Sequence, residues 1–251
     1  MITLLKYEIY RRWKWLILKY SAFIIISIIL INRAFSTGFQ YNVLGASFAK
    51  FALTSLVVLI VILVEGSNSL KEDLFEECGY LTFTIPKKGR TILASKQILL
   101  FLQLILWIII TWGFGSVFFS KLPFPEIAQI KSQINTSPMI ITMLFAITLI
   151  FNFVLIFHFS LTLTKTLLVN KKHSGLLSFG IFILMIYLIE KIYYGQFALQ
   201  VKHIAIKIGV GSSINLMSLS PADTISVFLN IILSVIFFTT TAYLLENKMN
   251  I

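Results

Sequence analysis

Charge is the scarcest material in this chain. Only 12% of its 251 residues are Asp, Glu, Lys or Arg, where a soluble domain carries roughly 25%. A water-soluble fold of this length would be unable to cover its core. Cysteine is scarcer still. Cys78 stands alone, which excludes an intrachain disulfide and a cysteine-based metal site. No Gly-x-x-x-x-Gly-Lys-(Ser/Thr) run exists to cradle nucleotide phosphates, and no His-Glu-x-x-His run exists to hold zinc. Low-complexity linkers and internal repeats are also missing. The two halves show no similarity to each other, so an inverted-repeat carrier gains no support. What the chain does have is apolar length: 58% hydrophobic residues, 23 of them Phe, gathered into long uncharged runs. Its principal solvent is therefore lipid.

A spanning helix needs about 20 largely apolar residues. Six stretches approach or exceed this length, at about 15–32, 47–65, 92–119, 138–163, 175–190 and 224–245, the second and fifth lying near the lower limit. The expected fold class is all-α: one polytopic transmembrane domain over 1–251. The first apolar run follows Lys6, Arg11, Arg12, Lys14 and Lys19, like the basic region of a signal peptide. No small-residue cleavage site follows it, so it reads as a retained first helix.

The net charge of +11 would point to nucleic acid in a soluble domain. Here the basic residues flank apolar runs, as membrane anchors do, and the expected partner is lipid, with no nucleic acid. With the N-terminus inside, fourteen of the 21 Lys and Arg residues fall on the inner side and seven on the outer. That asymmetry predicts a multi-pass protein of the cell membrane with N- and C-termini cytoplasmic. Residues 4–18 mix apolar and charged residues with Tyr7, Tyr10, Trp13 and Trp15. They read either as an N-terminal interfacial amphipathic helix or as the basic anchor of the first span.

The segment 66–91 is the most informative. Ser69-Leu70-Lys71-Glu72 fits a capping box, with Glu72, Asp73, Glu76 and Glu77 near the positive end of the helix dipole. Leu70, Leu74 and Cys78 share one face, and Gly79 is a natural stop. A short cytoplasmic amphipathic helix over 70–78 is predicted, followed by Pro86 and the basic turn Lys87-Lys88-Gly89-Arg90. Acidic then basic charge suits docking of a charged partner; the plainer reading is headgroup anchoring plus solvation.

The run from Phe75 to Pro86, Phe-Glu-Glu-Cys-Gly-Tyr-Leu-Thr-Phe-Thr-Ile-Pro, with the basic turn and Ile92-Leu93-Ala94-Ser95-Lys96 after it, resembles the permease subunits of ABC-2 transporters. The local motif covers about twenty residues, and the six-span layout extends the likeness along the chain. The resemblance implies that this loop is a coupling helix contacting cytoplasmic ABC ATPase subunits. Glu72, Asp73, Glu76, Glu77, Tyr80 and Arg90 would make the contact. It also implies a second permease copy or a paralogue as partner. The chain itself would be no enzyme and hold no cofactor, ATP and Mg²⁺ residing on the partner ATPase. Cys78 departs from the pattern and receives no role. Glu76-Glu77 also invites comparison with CAAX-type intramembrane proteases, but the fourth residue after Glu77 is Leu81 where they carry Arg.

Intramembrane polar groups are few. Gln103, Asn152 and His158 are candidates for a substrate path, with interhelical packing as the plainer role of His158. Gln103, Asn152 and Asn230 can bond between helices, and Thr239-Thr240-Thr241 can bond back to their own helix. Nothing forms a carboxylate relay for ion coupling. So apolar a path suits an amphipathic or hydrophobic cargo such as a peptide, lipid or drug. The external loop 191–223 contains an amphipathic stretch and a Gly209–Ser213 turn. The expected function is the permease subunit of an ATP-driven exporter. The alternative is a non-transporting immunity or sensor protein that binds peptide or lipid.

Overall fold

A computed structural model describes residues 2–36, 41–75, 88–120, 136–167, 174–201 and 221–247. They form six helices: α1 (Ile2–Ser36), α2 (Tyr41–Phe75), α3 (Gly89–Ser120), α4 (Thr136–Leu167), α5 (Ser174–Val201) and α6 (Pro221–Asn247). Among the described residues there is no strand. Five of the helices, all except α5, contain stretches long and apolar enough to cross a membrane. The fifth predicted span lies on α5, whose uncharged stretch ends at Glu190-Lys191. The predicted loop 191–223 begins inside α5, and its centre, 202–220, lies outside the described residues.

Two short helices expected as separate elements are parts of long ones. The N-terminal amphipathic stretch continues into the first span as one 35-residue helix, about 52 Å at 1.5 Å per residue. No Gly or Pro interrupts it, so nothing uncouples the basic turns from the apolar ones. Likewise α2 runs through Ser69 to Phe75. Ser69 caps nothing: its Oγ donates to the Gly66 carbonyl, 2.6 Å away, one turn back in the same helix. A hydroxyl bonded in this way is an alternative to capping that leaves the helix unbroken. The Leu70/Leu74 face is nonetheless buried, at 0% and 7% exposure.

The chain falls into two compact units, Met1–Ser69 with Thr91–Pro123, and Leu70–Arg90 with Phe124–Ile251. In the first, Phe23, Ile31 and Ala34 of α1 and Phe51 of α2 form the core, with Trp107, Ile110 and Phe114 of α3 packed on it. The Phe23 and Phe51 rings stack at 6.2 Å. In the second, α4 packs along α6 and α5. Its core joins Leu155 and Ile156 of α4 to Phe182 of α5 and Phe237 of α6. Phe182 meets Phe153 and Phe157 edge-to-face at 5.1 and 5.3 Å. The abundance of Phe thus has a packing use: such ring pairs add about 0.5–1.5 kcal/mol beyond the area they bury. Lipid tails are as apolar as these side chains, so close packing of this kind is a main source of helix association in a membrane.

Candidate functional site

The charged side chains of α1, α2 and α3 assemble an ionic network within the first unit. Its centre is Glu8, 3% exposed, and Lys96, 3% exposed, joined at 2.9 Å. Lys96 Nζ also donates to the Ser69 carbonyl at 2.8 Å. On α1 itself, Arg11 and Arg12 stand three and four residues beyond Glu8, and their guanidinium nitrogens lie 3.5 and 3.8 Å from its carboxylate. Arg12 reaches on to the Glu65 carbonyl of α2 at 3.3 Å. Two turns further along α1, Lys19 Nζ donates to Glu65 Oε2 at 2.6 Å and to Gln103 Oε1 at 2.9 Å. Tyr20 closes the chain by donating to the Gln103 carbonyl at 2.7 Å.

Placing so many charges in an apolar bundle is costly unless each is paired and hydrogen-bonded. The three helices meet the pairing demand together, since no one of them supplies both signs in reach of every partner; Glu8 Oε2 and Arg12 Nε are paired by charge at 3.8 Å without a hydrogen bond. Sequence reading assigned Lys6 to Lys19 to lipid anchoring and so missed the network. A signal was present: Glu8 precedes Arg11 and Arg12 at i+3 and i+4, the spacing at which helical side chains meet.

The second unit holds a neutral counterpart. Asn152 of α4 donates through Nδ2 to the backbone carbonyl and the Oδ1 of Asn230 on α6, at 2.9 and 3.1 Å. Ser234, one turn beyond Asn230, donates to Asn152 Oδ1 at 3.0 Å. The hydroxyls of Thr239, Thr240 and Thr241 bond back to carbonyls of α6.

Of the residues assigned to a substrate path, Gln103 belongs to the first unit and Asn152 and His158 to the second. All three are buried, at 4%, 5% and 1%. Gln103 and Asn152 hold neighbouring helices together. Of those assigned to ATPase coupling, Glu72 is half-buried at the end of α2, and Asp73 faces inward at 3% exposure. Arg90 is exposed at the start of α3. Glu76, Glu77 and Tyr80 lie outside the described residues, as does Cys78.

Both flanks of the stretch 76–87 are fixed on the second unit. On one side Lys165 of α4 sits over the Phe75 ring at 5.1 Å, a cation–π contact. On the other, Arg90 donates from its backbone N and its Nε to Glu246 Oε1 at 3.2 and 3.3 Å. Gly89 permits this approach. A Cβ there would stand 2.8 Å from Leu245 Cβ and 3.2 Å from the Ala242 carbonyl, so α3 begins where only a glycine fits against α6.

No protein-family model matches the chain, and neither a curated protein nor a solved structure does. The function must accordingly be argued from the residues. Among the described residues, no three His, Cys, Asp or Glu side chains converge in a way that would hold a metal ion. The arrangement offers charge pairs that lock helices and a short connecting segment with both flanks tethered.

Proposed function

We propose that this chain is the membrane-spanning permease subunit of an ATP-driven ABC exporter for an amphipathic or hydrophobic cargo. The observation that carries the reading is the tethering of the 76–87 stretch, at Phe75 on Lys165 and at Gly89-Arg90 on the end of α6. A partner pressing on this stretch would work against two helices, α4 and α6, at once. The stretch also carries the run that resembles ABC-2 permeases. In this reading it is the coupling segment, held on the cytoplasmic side. Two ATPase subunits dock there, a second permease copy or a paralogue completes the path, and ATP and Mg²⁺ stay on the ATPases. The chain supplies the path and the coupling.

Tagged protein purified from its native membrane is expected to bring an ATPase subunit with it. Charge reversal at Glu72, Glu76 and Glu77 is expected to abolish that association while leaving the amount of inserted protein unchanged. Purification free of any ATPase from membranes where the system is active overturns the reading. An ATPase retained undiminished by the charge-reversed protein removes these acids from the coupling.

A further inference from the structure

The second unit carries an open cleft of about 630 Å³ between α4 and α6, with Arg90 at the start of α3 on its lining. That volume is within the roughly 300–1,000 Å³ of small-molecule sites. Its walls are apolar: Phe159 and Leu163 from α4, Phe238 and Tyr243 from α6. Thr239 and Thr240 also line it, but their hydroxyls are satisfied by carbonyls of their own helix. They therefore make no polar demand on an occupant. The polar end is the Arg90–Glu246 pair. From Phe238 to Glu246 is eight residues, about 12 Å of helix, which matches a headgroup and the upper part of an acyl chain.

The ion pair is made in an unusual way. Arg90 uses its Nε and its backbone N, and Glu246 uses Oε1 alone. The hydrogen bonds of this pair use neither the guanidinium end nor Glu246 Oε2, and the Arg90 side chain is 68% exposed. One boundary thus offers a phosphate-binding cation and a carboxylate acceptor side by side, over an apolar slot. Guanidinium groups bind phosphate by paired hydrogen bonds. A carboxylate oxygen beside the phosphate favours an N–H donor and repels a second anion.

We propose that this cleft binds a single ethanolamine phospholipid, its phosphate on Arg90, its ammonium on Glu246, and its acyl chain along Phe159, Leu163 and Phe238. The site is independent of the exporter reading and needs only that the helices lie in a bilayer. The choline headgroup has the same charges but no N–H to donate, and a phosphatidylglycerol headgroup has no ammonium. The contrast among the three isolates the role of Glu246.

The test is native mass spectrometry of the full chain in detergent, given equal amounts of dioleoyl phosphatidylethanolamine, phosphatidylcholine and phosphatidylglycerol. Wild type is expected to retain the ethanolamine lipid about fivefold over the other two. Glu246→Gln brings ethanolamine and choline lipids level, and Arg90→Gln lowers both. Because those two substitutions break a helix contact, Leu163→Trp provides an independent arm. It leaves the ion pair intact, fills the slot, and is expected to lose the bound lipid and any lipid-induced rise in Tm. Equal retention of ethanolamine and choline lipids by wild type overturns the proposal. So does preference for phosphatidylglycerol, or undiminished binding by Leu163→Trp.

Discussion

A methyl group added at Gly89 meets Leu245 Cβ at 2.8 Å and the Ala242 carbonyl at 3.2 Å, atoms that cannot swing aside. At Gly66 it meets Leu100 Cδ1, also at 2.8 Å, the far end of a flexible side chain. The same substitution should therefore differ in effect. Gly89→Ala is expected to cost about 1–3 kcal/mol through forced displacement. Gly66→Ala should be close to neutral, because alanine's helix propensity, about 1 kcal/mol better, offsets a small rotation of Leu100. Thermal unfolding of the two variants in the same detergent separates them; equal melting temperatures would contradict the geometry. Lys96 gives a second prediction at this scale. Lys96→Met leaves Glu8 buried with one fewer counter-charge and the Ser69 carbonyl without its side-chain donor. A loss of about 3 kcal/mol is expected. Glu8→Gln added to Lys96→Met should recover part of it, and a double variant as unstable as the sum of the two singles would deny their coupling.

The helices were legible as apolar runs, but their ends were not. The sequence around Ser69 has every feature of a helix start, and α2 ignores it. Capping preference is a local term of about 1 kcal/mol, whereas breaking α2 at that point would give up backbone hydrogen bonds and the burial of Leu70 and Leu74. Ser69→Ala tests this directly. As a cap its loss would cost about 1 kcal/mol; inside a helix, where its Oγ only back-bonds to Gly66, the change should be within about 0.5 kcal/mol of neutral. A destabilisation of the full cap value would favour a break at Ser69. The α1 case is similar. Its buried positions Leu4, Glu8, Tyr20, Phe23, Ser27, Ile31 and Ala34, bridged by half-buried Arg12, Leu16 and Lys19, follow helical spacing from the basic turns into the apolar ones. One continuous stripe is why the interfacial and spanning parts are a single helix.

For the molecule as a whole, the number of crossings decides where the ends lie. Five helices meet the length and composition needed to span, and α5 falls between a span and a surface element. With α5 as a sixth crossing the two termini share a side; with five they do not. The excess of Lys and Arg favours the first arrangement. A reporter fused after Ile251 is expected to read cytoplasmic, together with one fused at the N-terminus. Reporters on opposite sides would make α5 a non-spanning helix. The grouping of Leu70–Arg90 with the C-terminal unit also belongs to this scale. α2 and α3 each contribute their main length to one unit and their facing ends to the other.

The sequence by itself determined that this is an all-helical chain with several membrane-length segments, and it located the helix interiors. Transfer of apolar residues to lipid is a local, nearly additive quantity, readable in a window of about 20 residues. It also singled out Gln103, Asn152 and Asn230 as polar groups that must bond, because lipid offers them nothing. Only the tertiary structure decided the partners. Asn152 takes Asn230, 78 residues away, while Gln103 takes Lys19, 84 residues away. Only there, too, did Glu8 and Lys96 prove to be buried charges and Lys19 and Glu65 a half-buried pair. In sequence each lies near the end of an apolar run, where a charge snorkels to water as readily as it pairs. Whether it does one or the other depends on an opposite charge arriving from a different helix, and no window of sequence contains that.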